Sequence, residues 1–228
     1  MNELEIIEKR FNFKYPNLYK KLYEDGMLDT GGDYGPDWSK TYYAKFEKEP
    51  TLLFFNDFEL LKFDRIIEEI EAFKNPEDYR KTKPEHQFIP FAQNRAGDLF
   101  VFQMDAKKGK DIPITFLWHD SETGIILACN LQDFIFRMLL KEVEIIDKYS
   151  TLVTIEGDKT NAHNVLRTHK PYLKDKHYNI LTAIYKKELS DNYHEQGAKS
   201  LITKEEKAEI LRHEIRFDKF NHEFVYMG

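Results

Sequence analysis

The chain has 228 residues, enough for one or two domains with a real core, and its 41% hydrophobic and 32% charged content excludes wholesale disorder and collagen-like or low-complexity classes. Residues 1–140 carry 19 Lys+Arg against 25 Asp+Glu while the remainder balances at 15 against 15, so the whole net charge of −6 sits in the first part, where it opposes binding to phosphate backbones and suits a basic protein partner. No apolar run approaches the roughly 20 residues that span a bilayer, the opening MNELEIIEKRFNF lacks the basic and apolar regions of a secretory signal, and the single Cys129 cannot form an internal disulfide; a soluble cytoplasmic protein is expected, with neither nucleic acid nor membrane as its partner.

Leu4, Ile7 and Phe11 recur at helical spacing behind Asn2 and Glu5, the pattern of a capping box, and predict a short amphipathic helix. Pro16 suits the first turn of a second helix with Leu18, Tyr19, Leu22 and Tyr23 as its apolar stripe and Gly26 as its terminator. Over residues 29–43 glycine, proline and aspartate are dense enough to predict a long loop. Residues 52–55 read as a buried strand, and Ile66, Ile67, Ile70 and Phe73 as the inner face of a helix that Asp64 could cap. Four apolar runs follow, FIPFA, LFVFQMD, IPITFLWH and IILACN, separated by turn clusters, which predicts an antiparallel meander. Asn130 and Asp133 then start a helix carrying Leu131, Phe134, Ile135, Met138 and Leu139. In LFVFQM, alternation puts Leu99, Val101 and Gln103 on one face and Phe100, Phe102 and Met104 on the other, so both faces of the sheet need cover.

Beyond residue 141 the pattern predicts a strand over residues 151–155. A helix capped by Asp175 would follow, with Ile180, Leu181, Ile184, Tyr185 and Leu189 inward, and then a second capping box, Thr203 with Glu206, ahead of Ile210 and Leu211. Tyr185, Ile210, Leu211, Phe217 and Phe220 need burial that a short helical segment cannot supply alone. The expected fold is therefore α+β. An antiparallel-rich sheet meander packed with helices occupies residues 1–140, and a mostly helical C-terminal extension, residues 141–228, docks on it.

The chemistry-bearing residues do not assemble into a catalytic constellation. Cys129 reads as an inert thiol in an apolar run. His119 and Asp120 are neighbours that a regular strand points to opposite faces, and Asp98 after Gly97 has the composition of a hairpin turn, with a general base as the sharper reading. His163, His169 and His177 are irregularly spaced and read as surface histidines, while His213-Glu214 and His222-Glu223 lack the spacing that puts two imidazoles on one helical face. No phosphate-cradling glycine motif occurs, so neither metal, cofactor nor catalytic residue is expected. One segment stands out. Glu24, Asp25, Asp29, Asp33 and Asp37 follow one another without a Lys or Arg, interleaved with Tyr34 and Trp38 and followed by Tyr42 and Tyr43. Carboxylates that steer and rings that bury area suit a basic partner, which makes Asp29, Asp33, Tyr34, Asp37, Trp38, Tyr42 and Tyr43 the candidate binding residues. A calcium loop is a lesser alternative, since no complete calcium-loop pattern with a distal Glu is present.

The succession YPNLYKKLYEDG, FIPFAQNRAGDLFVFQMD, IPITFLWHDSETG and NLQDFIFRML is similar to the SUKH superfamily, also called Smi/Knr-like. The resemblance runs from the first helix to the helix after the meander, carried by Ile89, Pro90, Gly97, Asp98 and Asp105 in one strand-turn-strand and by Pro113, Trp118 and His119 in the next. Arg95 stands in the turn where a small or polar residue is more usual. Bacterial members are mostly immunity proteins, so the resemblance implies a noncatalytic protein that binds and occludes a cognate polymorphic toxin. An intracellular scaffold or regulatory domain is the alternative that the eukaryotic members suggest. A hydrolase built on His119, Asp98 or the later histidines is a third.

Overall fold

In the computed structural model, which describes residues 1–32, 37–215 and 220–228, the chain divides into two units. One is formed by Met1–Lys21, Asp57–Phe134 and Phe217–Gly228, the other by Leu22–Asn56 and Ile135–Arg216. The fold is α+β. The helices in chain order are α1 (Glu3–Phe11), α2 (Asn17–Glu24), α3 (Trp38–Lys48), α4 (Phe63–Lys74), α5 (Leu131–Lys141), α6 (Thr160–His169), α7 (Asp175–Tyr185) and α8 (Lys204–Glu214). The strands are β1 (Glu59–Leu60), β2 (Phe88–Gln93), β3 (Leu99–Gln103), β4 (Ile114–Leu117), β5 (Thr123–Ala128), β6 (Ser190–Asp191), β7 (Lys199–Ser200) and β8 (Glu223–Val225).

In the first unit the predicted meander β2-β3-β4-β5 forms the middle of a six-stranded antiparallel sheet, ordered β1-β2-β3-β4-β5-β8. Two short strands that apolar alternation is too brief to reveal, β1 and β8, complete its edges. Pro90 has no N–H to donate, and it stands beside a register shift between Pro90 and Ala92 in the β2-β3 pair, where a sheet tolerates proline. The alternation in β3 holds. Leu99 and Val101 belong to a core with Phe73, Phe88, Leu117 and Tyr226. Phe102 meets Tyr19 and Phe91 with ring centroids 5.2 and 4.5 Å apart, and Phe100 meets Phe134 at 5.5 Å. One face is thus covered by α4 and the C-terminal Tyr226, the other by the start of α2 and the first turn of α5, which explains why all of β3 is buried.

The capping box at α1 forms as expected: the Asn2 side chain accepts the Glu5 N–H at 2.9 Å and the Glu5 carboxylate accepts the Asn2 amide at 3.1 Å. Asp64 does not cap α4. Lys62 occupies that position with its side chain making no capping bond, and Asp64 falls in the first turn, where its charge complements the helix dipole.

In the second unit four expectations are corrected. Residues 29–43 are not all loop, because α3 begins at Trp38, whose ring stacks on the buried Phe46. The segment 52–55 is buried but forms turns rather than a strand: Phe54 N–H reaches the Thr51 carbonyl at 3.2 Å, Asn56 N–H reaches Leu53 at 2.9 Å, and Leu53 sits at φ 54. Residues 151–155 likewise form bends and a turn, with the Thr154 N–H bonded to Asp158 at 2.9 Å. A short apolar run states that burial is needed without stating whether the backbone is extended. The capping box at Thr203 and Glu206 starts α8, whereas Asp175 is the first residue of α7 behind Lys174. Tyr185 and Leu211 are buried, Ile210 and Phe220 are half-buried, and Phe217 lies outside the described residues.

Candidate functional site

Of the candidate binding residues, Asp33 and Tyr34 lie outside the described residues. The rest gather around the start of α3. Asp29 closes an Asx turn by accepting the Gly31 N–H at 2.8 Å, and its other oxygen meets Lys45 Nζ at 3.0 Å. The Gly31 amide first, and then Lys45, hold the Asp29 carboxyl below the ordinary carboxylate range against its partial burial. Asp37 pairs with Lys40 at 2.8 Å, and Asp25 accepts the Tyr172 hydroxyl at 2.7 Å. The lysines absent from residues 24–39 therefore arrive from the helix that follows. The field of this segment is weaker than its sequence implies.

Its aromatic part is built rather than loose. The Trp38 indole N–H donates to the Thr30 carbonyl at 2.8 Å, and its ring stacks on Phe46 at 5.9 Å with 13° between planes. Tyr43 packs on Phe54 at 5.7 Å. Gly31, at φ 73, has no room for a side chain: a Cβ there would lie 2.5 Å from the Tyr42 ring. Trp38, Tyr42 and Tyr43 are half-buried, each with one side held by the fold and another left toward solvent.

The residues that carried the family resemblance have structural work. Gly97, at φ 90, turns the chain between β2 and β3, where the Asn94 side chain accepts the Ala96 and Asp98 N–H groups at 3.0 and 2.9 Å. Asp98 is buried, and one of its oxygens accepts both the His119 N–H at 2.9 Å and the His119 ring Nδ1 at 2.7 Å. Burial raises the Asp98 pKa, but the bonds from His119 and Asn94 outweigh it and hold the carboxyl low, while the same carboxylate raises the pKa of the exposed imidazole. Asp105 does the parallel task at the far end of the hairpin, accepting the Gln87 N–H at 2.8 Å and meeting His86 Nδ1 at 3.2 Å. The Trp118 ring stands edge-on to Phe116 at 5.5 Å, and its carbonyl accepts the Tyr226 hydroxyl at 3.2 Å.

His119 stands at a cavity of about 390 Å³ that also includes Glu69, Phe73, Asp78, Arg80 and Tyr226 in its lining. The Arg80 guanidinium is tied to Asp78 at 2.8 Å and Glu69 at 2.7 Å and lies 4.4 Å over the Phe73 ring, so the polar groups on that wall pair with one another. Nothing in NPEDYRKTK marks the buried Arg80 with Glu69 and the half-buried Asp78 around it. Asp98, His119 and Asp120 present ligand atoms within 4.8 Å of one another, the grouping among the described residues that could hold a metal ion. The orienter of His119 is thus Asp98, distant in sequence, and not its neighbour Asp120.

Two of the histidines read as surface residues are buried. His169 is wholly enclosed and accepts the Leu53 N–H through Nε2 at 3.0 Å, with Nδ1 3.1 Å from the Val165 carbonyl. His177 stacks on Phe136 at 3.9 Å. Histidine composition does not encode burial; helical phase does, since His169 shares the buried face of α6 with Ala162, Val165 and Leu166. Cys129 donates to the Asp133 carboxylate at 3.0 Å beside the cap of α5.

Among the described residues no helix is long and apolar enough to cross a membrane. No curated protein and no solved structure gave a match. The family model described as SMI1 / KNR4 family (SUKH-1) matches residues 2–137, which covers all four strands of the meander, the Asp98 and Asp105 turns and most of α5, and the chain therefore belongs to the SMI1 / KNR4 family (SUKH-1).

Proposed function

We propose that the protein is a noncatalytic binding protein, an immunity protein that neutralises a cognate polymorphic toxin by occluding it. The observation that carries this reading is membership of the SMI1 / KNR4 family (SUKH-1) over residues 2–137, in a superfamily whose bacterial members are mostly of that type. The geometry supports it: Asp98, Asp105, Arg80, Cys129 and His169 all make internal bonds that brace turns and helices. The contact surface in this reading is the start of α3 and the segment before it, with Asp29, Asp33, Tyr34, Asp37, Trp38, Tyr42 and Tyr43 facing a basic toxin in the cytoplasm. Co-purification from the native strain followed by mass spectrometry tests it. A toxin should be recovered, and its activity should fall to zero at a stoichiometric ratio. Recovery of housekeeping proteins instead would favour a scaffold or regulatory domain.

One observation favours a second reading. His119 is oriented by a buried carboxylate at a cavity, as a general base would be, which suits a hydrolase. Protection of a large molar excess of toxin by a trace of the protein, lost on His119→Ala, would establish that reading in place of the first.

A further inference from the structure

The segment beyond the matched family region carries a hairpin that the SUKH-1 core does not account for. β6 and β7 pair through Ser190-Ser200 and Asp191-Lys199, and the turn joining them is tied down from several sides. The Asn192 side chain accepts the His194 and Glu195 N–H groups at 2.9 and 3.1 Å, and its amide donates to the Glu144 carbonyl at 2.7 Å. Lys199 and Ile146 exchange both main-chain hydrogen bonds at 2.8 Å. On this fixed turn Tyr193 is 92% exposed. A groove of about 240 Å³ adjoins it, with the 41% exposed Ile145 supplying apolar surface and Glu144, Asp191, Glu195 and Glu205 supplying charge.

An exposed aromatic ring on an anchored turn loses little freedom on binding, which makes it a ready anchor. Lys204 is the one ammonium in the groove lining, against four carboxylates. Lys207 and Lys199 approach Glu144 and Asp191, and His194 lies 3.6 Å from Glu205. An acidic segment would meet like charge in this groove, and a purely apolar one would strip water from carboxylates without replacing it. A guanidinium satisfies both demands, since it stacks on a tyrosine face and bonds carboxylates in its plane.

We propose that this groove is a docking site for a basic segment of a partner protein, an arginine flanked by an apolar residue, with the guanidinium between Tyr193 and the carboxylates and the apolar residue over Ile145. The proposal rests on the reading of the chain as a partner-binding protein and names the chemistry of the contact. The test uses the full chain and two probes. The first is a fluorescein-labelled peptide of alternating arginine and leucine, with a glutamate-leucine peptide as control, followed by anisotropy and by amide NMR shifts. The basic peptide should bind and shift Ile145, Tyr193, Glu195 and Glu205, and its Kd should rise about tenfold or more in Tyr193→Ala and in the Glu195→Lys, Glu205→Lys double variant. Glu77→Lys, exposed and outside the groove lining, should leave that Kd within about twofold. No binding, shifts centred on α3 instead, or equal affinity in the groove variants would overturn the proposal. The second probe is the toxin recovered by the co-purification from the native strain. Capture by wild type that neither groove variant weakens would also overturn the groove while leaving the immunity reading. Groove-dependent peptide binding without capture or neutralisation of the toxin would overturn the immunity reading and leave the groove.

Discussion

His169 accepts the Leu53 N–H, so its imidazole must be neutral in the folded chain, and burial pushes its pKa down to about 4 from an ordinary 6.5. Above pH 6.5 the ring is neutral in both folded and unfolded chains and adds no pH dependence. Below that pH the unfolded chain takes up a proton that the folded chain refuses. Stability therefore falls with falling pH by about 1.4 kcal/mol per unit, about 3 kcal/mol in all, and levels off near the folded value. Urea titrations at about pH 7.5 and about pH 4.5 check this. His169→Ala should remove its share of the slope and destabilise by about 3 kcal/mol at neutral pH, through the lost acceptor and the space left behind. His119 runs the opposite way, since Asp98 raises its pKa: its contribution is fully present below the unfolded value and is lost as pH rises through the folded one. Asp98→Asn should lower the His119 pKa toward the ordinary value, which an NMR titration of the ring would read directly.

At the scale of elements, the segment around α3 joins the proposed binding surface to a small aromatic core. Because Trp38 stacks on Phe46 and bonds Thr30, Trp38→Ala should destabilise the fold by about 2 kcal/mol as well as speed partner dissociation. Asp37 makes an exposed ion pair with Lys40, and Asp37→Lys should leave the melting temperature nearly unchanged. Its expected effect is slower association with a basic partner, largest at low salt. Asp29→Lys should slow association too, but with a drop in melting temperature, because Asp29 also closes the turn at Gly31. Stopped-flow association rates at two salt concentrations, beside thermal melts, separate steering from stability.

For the molecule as a whole, the C-terminal strand is the feature with the largest consequence. β8 pairs with β5, and Tyr226 lies in the core with Phe88, Val101 and Leu117. Truncation after Lys141 removes that strand and that ring together, uncovers apolar surface on one face of the sheet and leaves β5 as a new edge. The fragment should be less soluble than the full chain and should bind a hydrophobic dye; a fragment as monodisperse and as stable as the full chain on size exclusion and melting would contradict this. Restoring only the last residues cannot occur in cis without the intervening chain, so a synthetic peptide spanning β8 added in trans offers a second check, with partial recovery of solubility expected.

The α+β class, the meander, the alternation in β3 and the capping boxes at Asn2 and Thr203 were legible from residue order alone, because each depends on spacing within one element. The two-residue β1, the late β8 and the turns over residues 51–56 were not legible, since such short segments take their conformation from what they pair with or pack against. The candidate site divides the same way. Sequence identified its acids and rings, but Lys45 on Asp29, Asp98 on His119 and Leu53 on His169 are pairings between residues 16, 21 and 116 positions apart. Charge and burial belong to neighbours in space, and folding chose those neighbours: it gave Asp29 and Asp37 lysine partners, an exposed histidine an orienting carboxylate, and turned a histidine read as a surface residue into a buried acceptor.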